Sequence, residues 1–86
     1  MPDLSPAELL AATAADMRTV AWCRPRHDGV AVAVADWLDA KATKYGQHDA
    51  ATQARMADAG VGTLAPMLRV CEAWWASRGV EPGVTT

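Results

Sequence analysis

The sequence predicts an all-α fold: a small antiparallel helical bundle of three main helices plus a short extra helix. Three observations carry that reading. Alanine, the best intrinsic helix former, makes up roughly a fifth of the chain. The β-branched residues are Val and Thr, and they show none of the sustained alternation that a half-buried strand needs. Helix-start and helix-stop residues recur at helical spacings along the whole chain. With 86 residues there is room for one domain, and its core must be thin. Residues 1–4 and 80–86 are expected to fray, leaving a single helical domain between them.

The first helix opens at "LSPAELL". Ser5 reads as the N-cap, Pro6 as the first helical residue and Glu8 as the partner in a capping box, with Leu4 and Leu9 as a hydrophobic staple. At about 100° per residue, Leu9, Leu10, Thr13, Met17, Val20 and Ala21 share an arc, with Asp16 flanking it and Arg18 opposite. Trp22 falls off that arc. Pro25 disfavours helical geometry at Arg24 and ends the helix near Trp22 or Cys23.

The second helix begins at Asp28 or just after it, where a carboxylate suits the positive end of the dipole. Val30, Val34, Trp37, Leu38 and Tyr45 share a face that includes Lys41, and Gly46 is placed as the left-handed residue past its end. Asp36, Asp39 and Val32 point away. Residues 47–59 predict a short third helix capped by Asp49 and ended by Gly60. The alternative is that this segment continues the second helix through Tyr45, His48, Thr52 and Met56. Thr63 is expected to cap the last helix, which tolerates Pro66 in its first turn and stops at Gly79. The expected core is Leu9, Leu10, Met17, Val30, Val34, Trp37, Leu38, Leu64, Leu68, Cys71 and Trp75.

Charge narrows function by exclusion. The formal net charge is −2, so no global basic field draws in a nucleic-acid backbone. No apolar run approaches the roughly 20 residues that span a bilayer. "MPDLSPAELL" lacks a basic n-region and does not read as a signal peptide. The expected location is the cytoplasm, with both cysteines reduced.

The most crowded stretch is "WCRPRHDG", Trp22 to Gly29. Cys23, His27, His48 and Cys71 offer the residue types of a zinc shell, but no CxxC pair is present and the separations are irregular, so no metal or other cofactor is expected. Cys23 near Arg24, Arg26 and His27 gains some thiolate character, yet it stands at a helix C-terminus where the dipole opposes an anion. No preorganised oxyanion donors are evident, and no enzyme is expected. Arg18, Arg24 and Arg26 with Trp22 form a small Arg/Trp patch of the kind that holds a nucleic acid. Four tryptophans in so short a chain favour a protein interface more strongly. Trp37 and Trp75 fit core positions, whereas Trp22, Trp74 and Val32 are left at edges. Trp22, Arg24, Arg26, Val32 and Trp74 are therefore the candidate partner-binding residues.

The run "HDGVAVAVADWLDAKA", His27 to Ala42, resembles a segment of small uncharacterised alanine-rich helical proteins of actinobacteria and their phages. In those a His-Pro-Gly-like entry opens a helix of the form V-A-x-A-V-A-D-W-L. Here Asp28 stands in place of the proline. The first helix and "LAPMLRVCEAWW" are also similar. The resemblance implies a bacteriophage or actinobacterial setting and no mechanism. A GC-rich genome agrees with it: Phe, Ile and Asn are absent and Arg outnumbers Lys. Together these readings predict a small non-enzymatic accessory protein that self-associates as an oligomer or docks on a host protein. A nucleic-acid-binding module is the alternative.

Overall fold

A computed structural model describes residues 4–22 and 29–80, with no side-chain description at 21 and 22. It contains α1 (Pro6–Trp22), α2 (Gly29–Tyr45), α3 (Ala50–Asp58) and α4 (Leu64–Arg78), and no strand among the described residues. The expectations for Cys23, Arg24, Arg26, His27 and Asp28, and for the Trp22 side chain, lie outside the described residues.

The capping box at the start of α1 forms as the sequence predicts. Glu8 Oε1 accepts the Ser5 N–H at 3.1 Å, and Ser5 Oγ accepts the Glu8 N–H at 3.3 Å. The Ser5 N–H, with the Ser5 hydroxyl second, holds the Glu8 carboxyl below its usual pKa. Pro6 has no N–H to satisfy. The remaining orphan donor, the Ala7 N–H, is met from a distance: Gln53 Oε1 of α3 accepts it at 2.8 Å. Gln53 is buried, and its Nε2 donates to the His48 carbonyl at 2.7 Å. A helix N-terminus that would otherwise bury an unpaired amide is thus completed by a residue 46 positions away.

α1 is the hub, packing against each of the other three helices, while α2 makes only slight contact with α3 and α4. α2 runs antiparallel to α1: Arg18 reaches Asp36, and Ala7 lies beside Gly46 at the other end. α4 runs in the same sense as α1, because Thr13 meets Trp75 and Asp16 meets Arg78 with one constant offset. The course is up, down and up, with α3 as the bridge over the N-terminus of α1.

Burial on α2 corrects the sequence reading. Ala35, Leu38, Ala42 and Tyr45 are buried, whereas Val30 is 75% exposed and Trp37 is 40% exposed. Val30 and Trp37 are therefore not core residues. α2 turns its alanine side towards Ala7 and Ala14 of α1, where small side chains let the two helices approach closely. The large apolar residues on the neighbouring arc are left outside that seam. The other expected core positions hold: Leu10, Met17, Leu38, Leu64, Cys71 and Trp75 are buried, and Leu9, Val34 and Leu68 are partly buried against them.

Residues 50–58 form a separate helix and do not continue α2. Asp49 caps it by accepting the Thr52 N–H at 2.7 Å, and the Thr52 hydroxyl, with that N–H second, lowers the Asp49 pKa. Its far end is a Schellman turn: Val61 N–H donates to the Met56 carbonyl at 3.0 Å and Gly60 N–H to the Ala57 carbonyl at 3.2 Å, with Gly60 at φ 71°. Two other expectations need correction. Gly46 is not left-handed; its N–H continues the helical pattern to the Ala42 carbonyl at 2.8 Å. Thr63 stands at the cap of α4 with φ −104° and ψ 10°, not the extended geometry of a capping residue, and its hydroxyl donates to Met67 Sδ at 3.4 Å.

Gly62 is constrained twice. Its φ is +57°, and an added Cβ would lie 2.7 Å from the Tyr45 hydroxyl. Gly62→Ala is expected to cost about 1–2 kcal/mol for the left-handed backbone, plus a steric contribution from Tyr45. In a Tyr45→Phe background, which lacks the hydroxyl, the steric part should vanish and the backbone part remain. Urea melts of the four proteins in this double-mutant cycle test it, and an equal cost in both backgrounds would show that Tyr45 does not crowd Gly62.

Candidate functional site

Two features stand out from the packed bundle: a polar seam between α1 and α4, and an apolar outer arc on α2. The seam is built from residues one helical turn apart. Thr13 and Asp16 lie on α1, and Trp74, Trp75 and Arg78 lie on α4. The buried Trp75 donates its indole N–H to Thr13 Oγ1 at 2.9 Å, and Thr13 donates in turn to the Leu9 carbonyl at 2.7 Å. Trp74 donates to Asp16 Oδ2 at 2.7 Å. Arg78 grips the same carboxylate with Nε at 2.8 Å and Nη2 at 3.3 Å.

Asp16 is only 8% exposed. The Arg78 hydrogen bond holds its pKa below the ordinary aspartate value against the opposing pull of burial, with Trp74 assisting. The carboxylate is therefore ionised and fully engaged. Cys71 sits beside this seam, completely buried, and burial raises its pKa. It packs as a small core thiol.

This arrangement redistributes the sequence-predicted site residues. Trp74 is half-buried, and its polar edge is committed to Asp16. Val32 is half-buried. Arg18 does not stand apart on an open face: it pairs with Asp36 Oδ1 at 2.8 Å and Asp39 Oδ2 at 3.3 Å, which raises its pKa. Both aspartates remain well exposed, so this bridge adds little to stability. Of the four zinc-type residues, His48 is exposed and Cys71 is buried. Among the described residues no three His, Cys, Asp or Glu side chains gather as a metal shell. A shallow groove on the α1–α2 seam is floored by Ala7, Ala11, Ala42 and Gly46, with Glu8 and Asp39 at its rim. Both carboxylates already have partners, Ser5 and Arg18.

The outer arc of α2 is the feature that the sequence reading missed. Val30, Ala33 and Trp37 are exposed along it, Val34 is half-buried, and Lys41 and Lys44 follow at its C-terminal end. The signal was the alanine run itself. Once the small residues are assigned to the close seam with α1, the arc bearing Val30 and Trp37 must face outwards. No described helix is long and apolar enough to cross a membrane. No family model matches the chain, and no curated protein or solved structure matches it.

Arg78→Ala should leave the Asp16 carboxylate buried with one donor, at a cost of roughly 2 kcal/mol, held to that scale because the guanidinium is itself partly in water. Asp16→Asn should be destabilising at neutral pH. Because the folded pKa of Asp16 is lowered, its stabilisation is complete above the unfolded value of about 3.9 and is lost as pH falls through the folded one. Denaturation curves at pH 7 and at about pH 2 should show the gap between wild type and Asp16→Asn closing in acid. A gap that persists there would remove ionisation as its source.

Proposed function

We propose that this chain is a small non-enzymatic interaction protein of the cytoplasm, an accessory factor that works by docking on another protein. One observation carries the reading: Trp37, 40% exposed, and Val30, 75% exposed, occupy an outer arc of α2 that no described helix covers. Large apolar groups left in water side by side mark contact surfaces, and tryptophan is the residue most enriched at their energetic centres. A thin core points the same way, since a partner adds burial that the chain alone does not supply.

The proposed contact surface thus moves from Trp74, whose indole joins α4 to α1, to Trp37. Trp22, Arg24 and Arg26 stay candidates for an adjoining edge, because they precede α2 in sequence. The nucleic-acid reading through Trp22, Arg18, Arg24 and Arg26 has less support, since Arg18 is engaged by Asp36 and Asp39. A bacteriophage or actinobacterial origin belongs with this proposal as its setting, on the resemblance of the α2 sequence.

Trp37→Ala and Trp74→Phe separate binding from folding. Trp37→Ala should cost less than the roughly 3–5 kcal/mol of a core Trp→Ala change, leave the protein folded, and abolish capture of a partner from lysate. Trp74→Phe should lower stability through loss of the Asp16 hydrogen bond, yet leave capture intact. Thermal melts beside affinity pull-downs measure both. A Trp37→Ala protein that melts early and captures normally would return Trp37 to a structural role.

A further inference from the structure

Resting on the interaction reading above, we infer that the outer arc of α2 takes an amphipathic helix from another protein, one whose apolar stripe is flanked by carboxylates. The arc runs from Val30 to Lys44, a length of about 21 Å at helical rise, which matches one docked helix of four turns. Its N-terminal three quarters are apolar: Val30, Ala33, Val34, Trp37 and Ala40. Its C-terminal quarter carries Lys41 and Lys44, neither of which has an ion pair among the described residues. Arg18 engages the acids of α2: Asp36, which borders the arc beside Ala33 and Ala40, at 2.8 Å, and Asp39 at 3.3 Å.

That distribution of charge selects the occupant. A second copy of this chain laid face to face brings Lys41 and Lys44 no unpaired carboxylate, because Asp36 at the border of the arc is already held by Arg18. An anionic lipid surface is read by clusters of about 4–8 cationic residues, and two lysines on a chain of net charge −2 fall short of that. A nucleic acid calls for a basic groove rather than aliphatic Val30 and Val34 beside a single tryptophan. An acidic amphipathic helix matches both halves: its apolar stripe covers Val30, Val34 and Trp37, and its carboxylates meet Lys41 and Lys44. Charge then sets orientation and encounter rate while Trp37 supplies the anchor.

The test is selection of helix-biased 18-residue peptides from a surface-display library against the full chain. Enriched peptides are expected to carry an apolar stripe with Asp or Glu beside it. Their affinity, read by fluorescence anisotropy, should fall at least tenfold for Trp37→Ala and for the Lys41→Glu/Lys44→Glu double variant, with circular dichroism confirming that both remain folded. Substituting Lys for the acids of a selected peptide should restore binding to the double variant and abolish it on wild type. Enriched peptides without acids overturn the inference, as do peptides whose affinity ignores both variants; in the second case the chain is still an interaction protein that uses another surface. Concentration-dependent dimerisation lost on Trp37→Ala overturns it in favour of a second copy. Binding of phosphatidylserine vesicles or single-stranded oligonucleotides that depends on Lys41 and Lys44 overturns it in favour of those surfaces. No enriched peptide, together with an empty lysate pull-down, overturns both the inference and the proposed function.

Discussion

An ionised carboxylate in the seam between α1 and α4 fixes the register of this bundle. Asp16 has lost most of its water, and the oxygens that water would have solvated are met by the Trp74 indole and the Arg78 fork. α4 has little contact with α2, so its position is set chiefly against α1. Apolar burial is non-directional, so the stripe of Leu64, Met67, Cys71 and Trp75 drives contact without choosing donors for Asp16. A slide by one turn would strand Asp16 without donors and take the Trp75 indole off Thr13. The polar pairs therefore specify the alignment that hydrophobic burial drives.

The other seam works by the opposite means. α1 and α2 meet through Ala7, Ala14, Ala35 and Ala42, where dispersion contacts between closely spaced helices replace the filling of space by large side chains. The two seams together decide what is left over. The α2 seam takes Ala35 and Ala42 with Leu38 and Tyr45, and no described helix covers the arc of α2 that bears Val30 and Trp37.

Much of this was legible in the sequence, and the lapses have two causes. The capping box at Ser5, the Asp49 cap and the left-handed Gly60 and Gly79 follow from local chemistry that any single stretch of chain displays. Positions such as Leu38, Cys71 and Trp75 follow from periodicity. Val30 and Trp37 were misplaced because periodic reading gives weight to large side chains, while α2 centres its buried face on Ala35 and Ala42 beside Leu38 and Tyr45. Asp16 and Gln53 were invisible for a different reason. Their burial depends on donors and acceptors delivered by helices far along the chain, and no local pattern announces a polar residue whose partner is 62 or 46 positions away. The candidate face emerged only when the alanine seam was located, since it is defined by what that seam does not cover.

Gln53 also binds the order of assembly. α3 has nine residues, buries Gln53 as its one fully covered side chain, and is too short to persist as an isolated helix. Its docking is what completes the N-terminus of α1 at the Ala7 amide. Each element thus lends the other what it lacks: α1 offers α3 a site, and α3 closes an open valence in α1. Loss of α3 would therefore unpair the first turn of α1 at Ala7, although all of α2 lies between them in the chain. The amide proton of Ala7 reports on the state of a helix that lies on the far side of that loop.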